Sequence, residues 1–475
     1  MHADFSSSSD EQSSSSSGRW YKELNRYHWF VLLIAALGWL FDTMDQQLFN
    51  LARVPAMKEL LPHALGQPPE KDMVTFYGAL ATSIFMIGWA TGGLIFGVLG
   101  DRIGRAKVML WTILIYSICT GLSAFSVGFW DFAFYRFLTG LGVGGEFAVG
   151  VSLVAEVMPS RARPFALGLL QALSAVGNVT AALMNIILGQ VESSGGLENL
   201  VVGDTPVKAW RILFLIGTLP AFLTIFIRRN LKEPETWKAQ ADAGLGKQLG
   251  SFSELFSNPV LRRNAIVGLI MASSGIIGLW GIGFFSFDLL SPVFRKHFEA
   301  QGLAENVVSG KVATWVGITS VMQNIGGFLG IYAYSHLTSI FGRKPAFAVS
   351  FVAAMLSTAL VFWNLDQFHE IFWMIPLMGF CQLALFGGYA IYFPELFPTR
   401  LRSTGISFCY NVGRYVAAAG PFALGLLTSK VFTEANGYQA GMGMRYAGVA
   451  MCSVFLIGLM AVPFAPETKG KPLPE

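Results

Sequence analysis

Glu156-Val157-Met158-Pro159-Ser160-Arg161-Ala162-Arg163 returns, with the same pattern of acid, proline and arginines, as Glu395-Leu396-Phe397-Pro398-Thr399-Arg400-Leu401-Arg402, at an offset of 395 − 156 = 239 positions. Gly104-Arg105 returns as Gly342-Arg343 at offset 342 − 104 = 238, and Pro234-Glu235-Thr236 as Pro466-Glu467-Thr468 at offset 466 − 234 = 232. Three matches in one order and at nearly one spacing indicate that a whole bundle was duplicated. Each repeated turn lies between long apolar runs. Internal halves of this kind build many secondary transporters, with the substrate site between the halves near the bilayer midplane.

Composition supports the membrane. Of 475 residues, 53% are hydrophobic and 13% charged, and Phe occurs 40 times, which is more apolar surface than a soluble core could hide. The formal net charge of +4 gives no sign of a nucleic-acid partner. Cys119, Cys381, Cys409 and Cys452 lie inside apolar runs with no metal or disulfide spacing and read as small buried hydrophobes. Residues 1–18 are Ser-rich, with Asp4, Asp10 and Glu11, too polar for a signal sequence and too biased to fold, and read as a disordered tail.

Apolar runs long enough to cross a bilayer as helices fall at about 29–51, 73–99, 108–128, 130–157, 165–191, 210–228, 264–290, 312–338, 345–365, 369–394, 403–428 and 443–464. This gives an all-α chain of about twelve spans in two six-helix bundles, 19–228 and 264–475, joined by a polar linker at 229–263. Arg and Lys concentrate in alternate loops, which places both termini and the linker in the cytoplasm. Within the linker, Pro234-Glu235-Thr236-Trp237 and Ser251-Phe252-Ser253-Glu254 read as starts of short surface helices.

The loop Gly97-Val98-Leu99-Gly100-Asp101-Arg102-Ile103-Gly104-Arg105-Ala106-Lys107 resembles the signature loop of the major facilitator superfamily. Its counterpart from Ser335 to Lys344 keeps Leu337, Gly342 and Arg343 but has Ser339 where Asp101 would fall. Arg136-Phe137-Leu138-Thr139-Gly140-Leu141-Gly142-Val143-Gly144-Gly145-Glu146 resembles the fourth span of the sugar, aromatic-acid and sialic-acid branches. The stretch Pro466-Glu467-Thr468-Lys469-Gly470 resembles the ending of sugar porters. Asp42-Thr43-Met44-Asp45 is similar to the Asp-Gly-x-Asp pattern of proton-coupled aromatic-acid and sialic-acid symporters, with Thr43 in place of Gly. The paired glutamines of the seventh span of sugar porters are missing between Gly268 and Leu290. The resemblance implies that Asp101, Arg102, Arg105 and Glu156, with Glu395 and Arg343 in the second half, form gating turns that hold the cytoplasmic ends of the halves together.

Asp42 and Asp45 lie about 20 Å along the first span and three residues apart, so they share a helix face. Carboxylates at that depth must pair, meet water or take up a proton, which is the chemistry of proton coupling. Pairing with a basic residue that merely locks helices is the other reading. Glu146 joins them as a proton relay or a gate. Arg414, about 17 Å into the eleventh span, and Arg136 in the fourth must face a cavity or a partner, because lipid would not accept them. A planar guanidinium suits a substrate carboxylate, and a salt bridge to Asp42, Asp45 or Glu146 is the alternative. Polar residues inside apolar spans, Gln171, Asn178, Asn185, Gln323, Asn324, Gln382, Tyr389 and Asn411, are candidates for the cavity wall or for helix–helix hydrogen bonds. Trp280 and Phe284 could stack on a ring-shaped substrate.

Together these point to a monomeric secondary active transporter in the plasma membrane, carrying a small organic acid with protons by alternating access. It needs no cofactor or metal, since no phosphate-binding loop or metal-ligand spacing occurs. A sugar or polyol carrier is the nearest alternative. A transporter-like receptor and a membrane enzyme follow, the last disfavoured by the lack of any nucleophile–base pair.

Overall fold

A computed structural model describes residues 20–65, 71–193, 196–197, 201–202, 205–243, 249–283, 286–303, 305–417, 420–439 and 441–474. The Ser-rich tail and Phe284 lie outside them. The first half consists of α1 (Arg26–Leu65), α2 (Lys71–Ile103), α3 (Arg105–Ser123), α4 (Phe129–Val157), α5 (Arg163–Ser193), and α6 (Ala209–Ile216) continued as α7 (Leu223–Asn230). The linker carries α8 (Glu235–Asp242) and α9 (Phe252–Ser257). The second half comprises α10 (Pro259–Ile276), α11 (Ser286–Glu299), α12 (Glu305–Phe341), α13 (Arg343–Asn364), α14 (Ile371–Tyr392), α15 (Arg402–Ala417), α16 (Gly420–Leu426), α17 (Gly443–Met451) and α18 (Val454–Ala461). A two-residue antiparallel pair, Val201–Val202 with Thr205–Pro206, interrupts the otherwise helical chain. Ten of the described helical segments are long and apolar enough to cross a membrane, and the architecture is that of twelve spans in two bundles.

Large apolar side chains such as Leu33, Phe134, Ile187, Leu356 and Met460 stand exposed on the outside, as expected of helices whose solvent is hydrocarbon. Inside, small residues bring helices close. A Cβ on Gly88 or Gly92 of α2 would strike the backbone of Phe137 or Leu141 on α4, and one on Gly140 or Gly144 would strike that of Phe85 or Trp89 in return. The glycine run of the fourth span is thus accounted for by packing. Across the halves, α2 packs on α15 and α5 on α12.

The duplication is visible atom by atom at the charged face, the end where the repeated turns lie. Gly104 (φ 113°) and Gly342 (φ 95°) cap the starts of α3 and α13 with backbone that favours glycine. Arg105 then reaches Glu156 at 3.0 Å and Gly100 O at 2.8 Å, and Arg343 reaches Glu395 at 2.7 Å and Thr338 O at 3.1 Å. Arg163 and Arg402 likewise donate to the carbonyls of Ala155 (2.8 Å) and Pro394 (3.1 Å).

One repeat changes register. Glu233, not Glu235, accepts from the N–H groups of Ala106 and Lys107, each at 3.1 Å. Glu467 accepts from Arg343 (2.9 Å) and Lys344 (3.0 Å). The structural offset is therefore 467 − 233 = 234 rather than 232. Both carboxylates cap a helix whose free N–H groups attract negative charge. Burial works against ionisation of Glu467, but the N–H groups of Arg343, Lys344, Lys469 and Thr468 outweigh it and hold the carboxyl below its ordinary value. A depressed folded-state value means that the cap stabilises at neutral pH and is lost as pH falls through the carboxylate range. Glu467→Gln should cost about 1 kcal/mol at neutral pH. Melting curves of the two proteins should converge below about pH 4, and a gap that persists in acid would refute the capping role.

Candidate functional site

A cavity of about 750 Å³, part of it open, lies between the halves. From the first half, α1 contributes Trp39, Thr43, Gln46, Gln47 and Asn50, α2 Trp89, and α5 Gln171, Ser174 and Asn178. From the second come Leu279 and Trp280, Ser320, Gln323 and Asn324 of α12, Leu383 and Phe386 of α14, and Tyr410 and Arg414 of α15. Trp280 sits in a π-helical turn, Ile277–Ile282, that widens the seventh span where it meets the cavity. Its ring meets Trp89 edge-on across the halves at 6.0 Å, and Asn178 donates to Asn324 at 2.9 Å beside it.

Arg414 is the cavity's permanent cation. Its guanidinium lies 3.9 Å from the Trp89 ring centroid and 4.3 Å from that of Tyr410, so aromatic faces supply part of what water would have given it. Nη1 donates to Asn411 Oδ1 at 2.6 Å, whereas Nε has no hydrogen-bond partner among the described residues. No described carboxylate lies within ion-pair distance of Arg414, which is buried. Asn411 is not among the lining residues; it aims the arginine.

The acids are buried outside the cavity lining, Asp42 one turn before Gln46 on α1. Asp45 is held: Thr120 Oγ1 donates to it at 2.6 Å and Arg136 Nη1 stands 3.5 Å away. Arg136 also donates to Ser123 (3.1 Å) and Thr139 (2.9 Å) and packs over the Phe214 ring at 4.7 Å. It thus lies outside the cavity lining and supports Asp45. Asp42 is different. Both its oxygens are buried with no hydrogen-bond partner among the described residues, and so are both oxygens of Glu146 and the hydroxyl of Tyr116. Glu146 Oε1 fills the space beside Gly38, where an added Cβ would have to displace it. Gly38 is one turn before Asp42, so the two acids meet the same face of α1.

Below the cavity the charged face is closed. Asp101 Oδ2 accepts from Thr404 N (2.8 Å) and Oγ1 (2.6 Å), and Oδ1 accepts from Ser403 N (3.1 Å), which binds the end of α2 to the start of α15. Arg105 donates to Thr399 O at 2.6 Å, and Arg402 crosses to Glu156 at 2.7 Å. The linker joins in: Arg102 donates to Leu249 O (3.1 Å), Trp237 to Asp101 O (2.6 Å), and Arg400 to Glu254 (2.7 Å). The two linker helices form at the expected places, Ser251 capping α9, yet Trp237 is buried rather than on the surface.

Asp101→Asn would remove the charge from three cross-half bonds, each charge-assisted bond contributing about 1.5–3 kcal/mol. We expect the closed population to fall about tenfold or more, seen as increased labelling of cysteines placed along the closed pathway. Unaltered labelling would leave the turn with a role in topology only.

Among the sequence candidates, Gln171, Asn178, Gln323, Asn324, Trp280 and Arg414 line the cavity. Gln382 bonds Thr358 (2.7 Å) and Tyr389 bonds Met271 O (2.7 Å), helix to helix. Sequence reasoning missed the stripe Trp39, Thr43, Gln46, Gln47 and Asn50. Positions 39, 43, 46 or 47, and 50 recur every three to four residues, a helical face that was available as a signal.

A polar chamber closed at one end between two repeated six-helix halves defines a membrane transporter. The chain belongs to the Major Facilitator Superfamily, whose family model matches residues 35–329; it is a multi-pass membrane transporter and not an enzyme. A Haemophilus influenzae protein named in general terms for metabolite transport is 30% identical over 460 residues, covering 95% of this chain and 99% of that one. The cis,cis-muconate transport protein of Acinetobacter baylyi is 26% identical over 409 residues, covering 85% and 88%. Among solved structures, the proton:xylose symporter XylE of E. coli, bound to 6-bromo-6-deoxy-D-glucose, aligns with TM-score 0.67 at 17% identity, covering 94% of this chain and 98% of that one.

Proposed function

We propose that this transporter carries a small organic carboxylate together with protons, by alternating access. The observation that carries the substrate class is Arg414: a permanent cation at the cavity wall with no ion partner among the described residues. A buried charge without a partner costs several kcal/mol, and a substrate carboxylate supplies one. The amides of Gln46, Gln171, Gln323 and Asn324 offer further donors, and Trp89 and Trp280 offer faces to a flat substrate. Transport of cis,cis-muconate, a carboxylate, by a relative supports the same class. Proton coupling rests on Asp42 and Glu146, the two buried acids whose oxygens find no hydrogen-bond partner among the described residues, while Asp45 is paired with Arg136. We place the charged face in the cytoplasm, on the excess of Arg and Lys there, which makes the closed end the inner one, and we take the protein to act as a monomer in the plasma membrane.

The amide-rich lining also suits hydroxyl groups, so a sugar or polyol is the second reading. Proteoliposomes enclosing a pH dye separate the two. Adding a transported acid outside should acidify the lumen, and its amide or alcohol analogue should not. Acidification by neutral sugars, with none by acids, would overturn the first reading in favour of the second.

A further inference from the structure

The two halves close the charged face unequally. Around α2 and α15, Asp101 takes the donors at the start of α15 and Arg402 crosses to Glu156 at 2.7 Å. The positions related by the repeat lie around α5 and α12: Ser339 for Asp101 (339 − 101 = 238), Arg163 for Arg402 (402 − 163 = 239) and Glu395 for Glu156 (395 − 156 = 239). Among the described residues no ion pair joins Arg163 to Glu395. Glu395 is occupied within its own half, by Arg343 at 2.9 and 2.7 Å and by Thr468 at 2.6 Å. Ser339 brings no charge, and its hydroxyl donates to His336 O at 2.7 Å.

A cavity of about 1540 Å³, partly open to solvent, occupies the place of the missing bridge. Arg161, Arg163, Ser339, Arg343, Lys469 and Lys471 line it, together with one carboxylate, Glu395. Arg343 is matched by Glu395, and Arg161 lies 3.0 Å from Glu23. Arg163, which is only 8% exposed, and the two lysines have no carboxylate partner among the described residues. Trp20 stacks on Phe165 at 5.5 Å at the same cavity, the kind of aromatic anchor found where a bilayer meets water.

We propose that this cavity binds a phosphate-type anion, from a phospholipid headgroup or from free phosphate, and that the anion bridges α5 to the end of α12 and the C-terminal segment as Asp101 bridges α2 to α15. A tetrahedral anion meets a guanidinium fork and two ammonium groups with charge-assisted bonds, and it adds a counter-charge to Arg163, which the Glu395 carboxylate, already bonded to Arg343, reaches only beyond ion-pair distance.

The test uses the full chain in nanodiscs of neutral phosphatidylcholine, with and without inorganic phosphate, and in discs containing phosphatidylglycerol. The readouts are melting temperature and the distance between spin labels on the charged ends of α5 and α12. Stabilisation and a shorter distance with phosphatidylglycerol alone assign the site to a headgroup; the same response to inorganic phosphate in neutral discs assigns it to the soluble anion. Lys469→Gln/Lys471→Gln, both on exposed positions, should weaken the response about fivefold per charge removed. Ser339→Asp should build the missing acid into the protein and make closure independent of added anion. The proposal fails if neither probe moves either readout, or if the response is the same size in the lysine double variant.

Discussion

Asp42→Asn and Glu146→Gln are each expected to abolish accumulation driven by a pH gradient while leaving substrate exchange intact. In liposomes one pH unit more acidic outside, each proton carried with a monovalent acid supports about tenfold accumulation; both variants should fall to an equal distribution across the membrane. The reason is the difference between the acids of this region. Asp45 has Arg136 and Thr120, and a carboxylate that takes up a proton loses its ion pair and leaves the guanidinium unmatched. Asp42 and Glu146 have four buried oxygens with no described donor, and a carboxyl kept from water and from any partner must carry a proton in that state and release it when water enters. Asp45→Asn should behave differently, leaving Arg136 buried without its counter-charge and costing about 3–5 kcal/mol of stability, so poor expression rather than selective loss of coupling is its signature. Uptake measured against counterflow exchange in the same liposomes distinguishes these cases. Full gradient-driven uptake by both Asp42→Asn and Glu146→Gln would remove them from the coupling mechanism.

Arg414→Lys should weaken binding of the transported acid by about 10- to 100-fold, a loss of about 1.5–3 kcal/mol for bonds to a charged group, although the charge is kept. The ammonium cannot form the two parallel bonds of the guanidinium fork. Nor can it lie flat against Trp89, now 3.9 Å from the guanidinium carbon. Asn411, which fixes Nη1 at 2.6 Å, would lose its partner as well. In titrations of the purified proteins, the acid should bind the unmutated protein much more tightly than its amide analogue, and the variant should lose most of that preference. Equal affinity for acid and amide on the unmutated protein would transfer the argument to the neutral-substrate reading.

The duplication, the spans and the charged turns are legible in the chain alone, because each is written in local patterns: apolar runs of bilayer length and short polar motifs repeated at an offset of 238 or 239. The apolar surroundings of Asp42, Asp45, Glu146, Arg136 and Arg414 are legible in the same way, since hydropathy shows them from the sequence. Tertiary structure decided who meets whom. Asp42 and Asp45 look alike in sequence, yet only Asp45 finds Arg136, 91 positions away (136 − 45 = 91). Glu235 matched Glu467 by motif, but the helix cap is Glu233. Trp237 read as part of a surface helix and is buried with its indole on Asp101. The cavity wall takes one face from each of several helices, and helix rotation is set by packing across the bundle, which no single segment encodes. The same holds for Arg163 and Arg402: the repeat makes them equivalent, and only the contacts between halves give Arg402 an ion pair with Glu156 and leave Arg163 with none among the described residues.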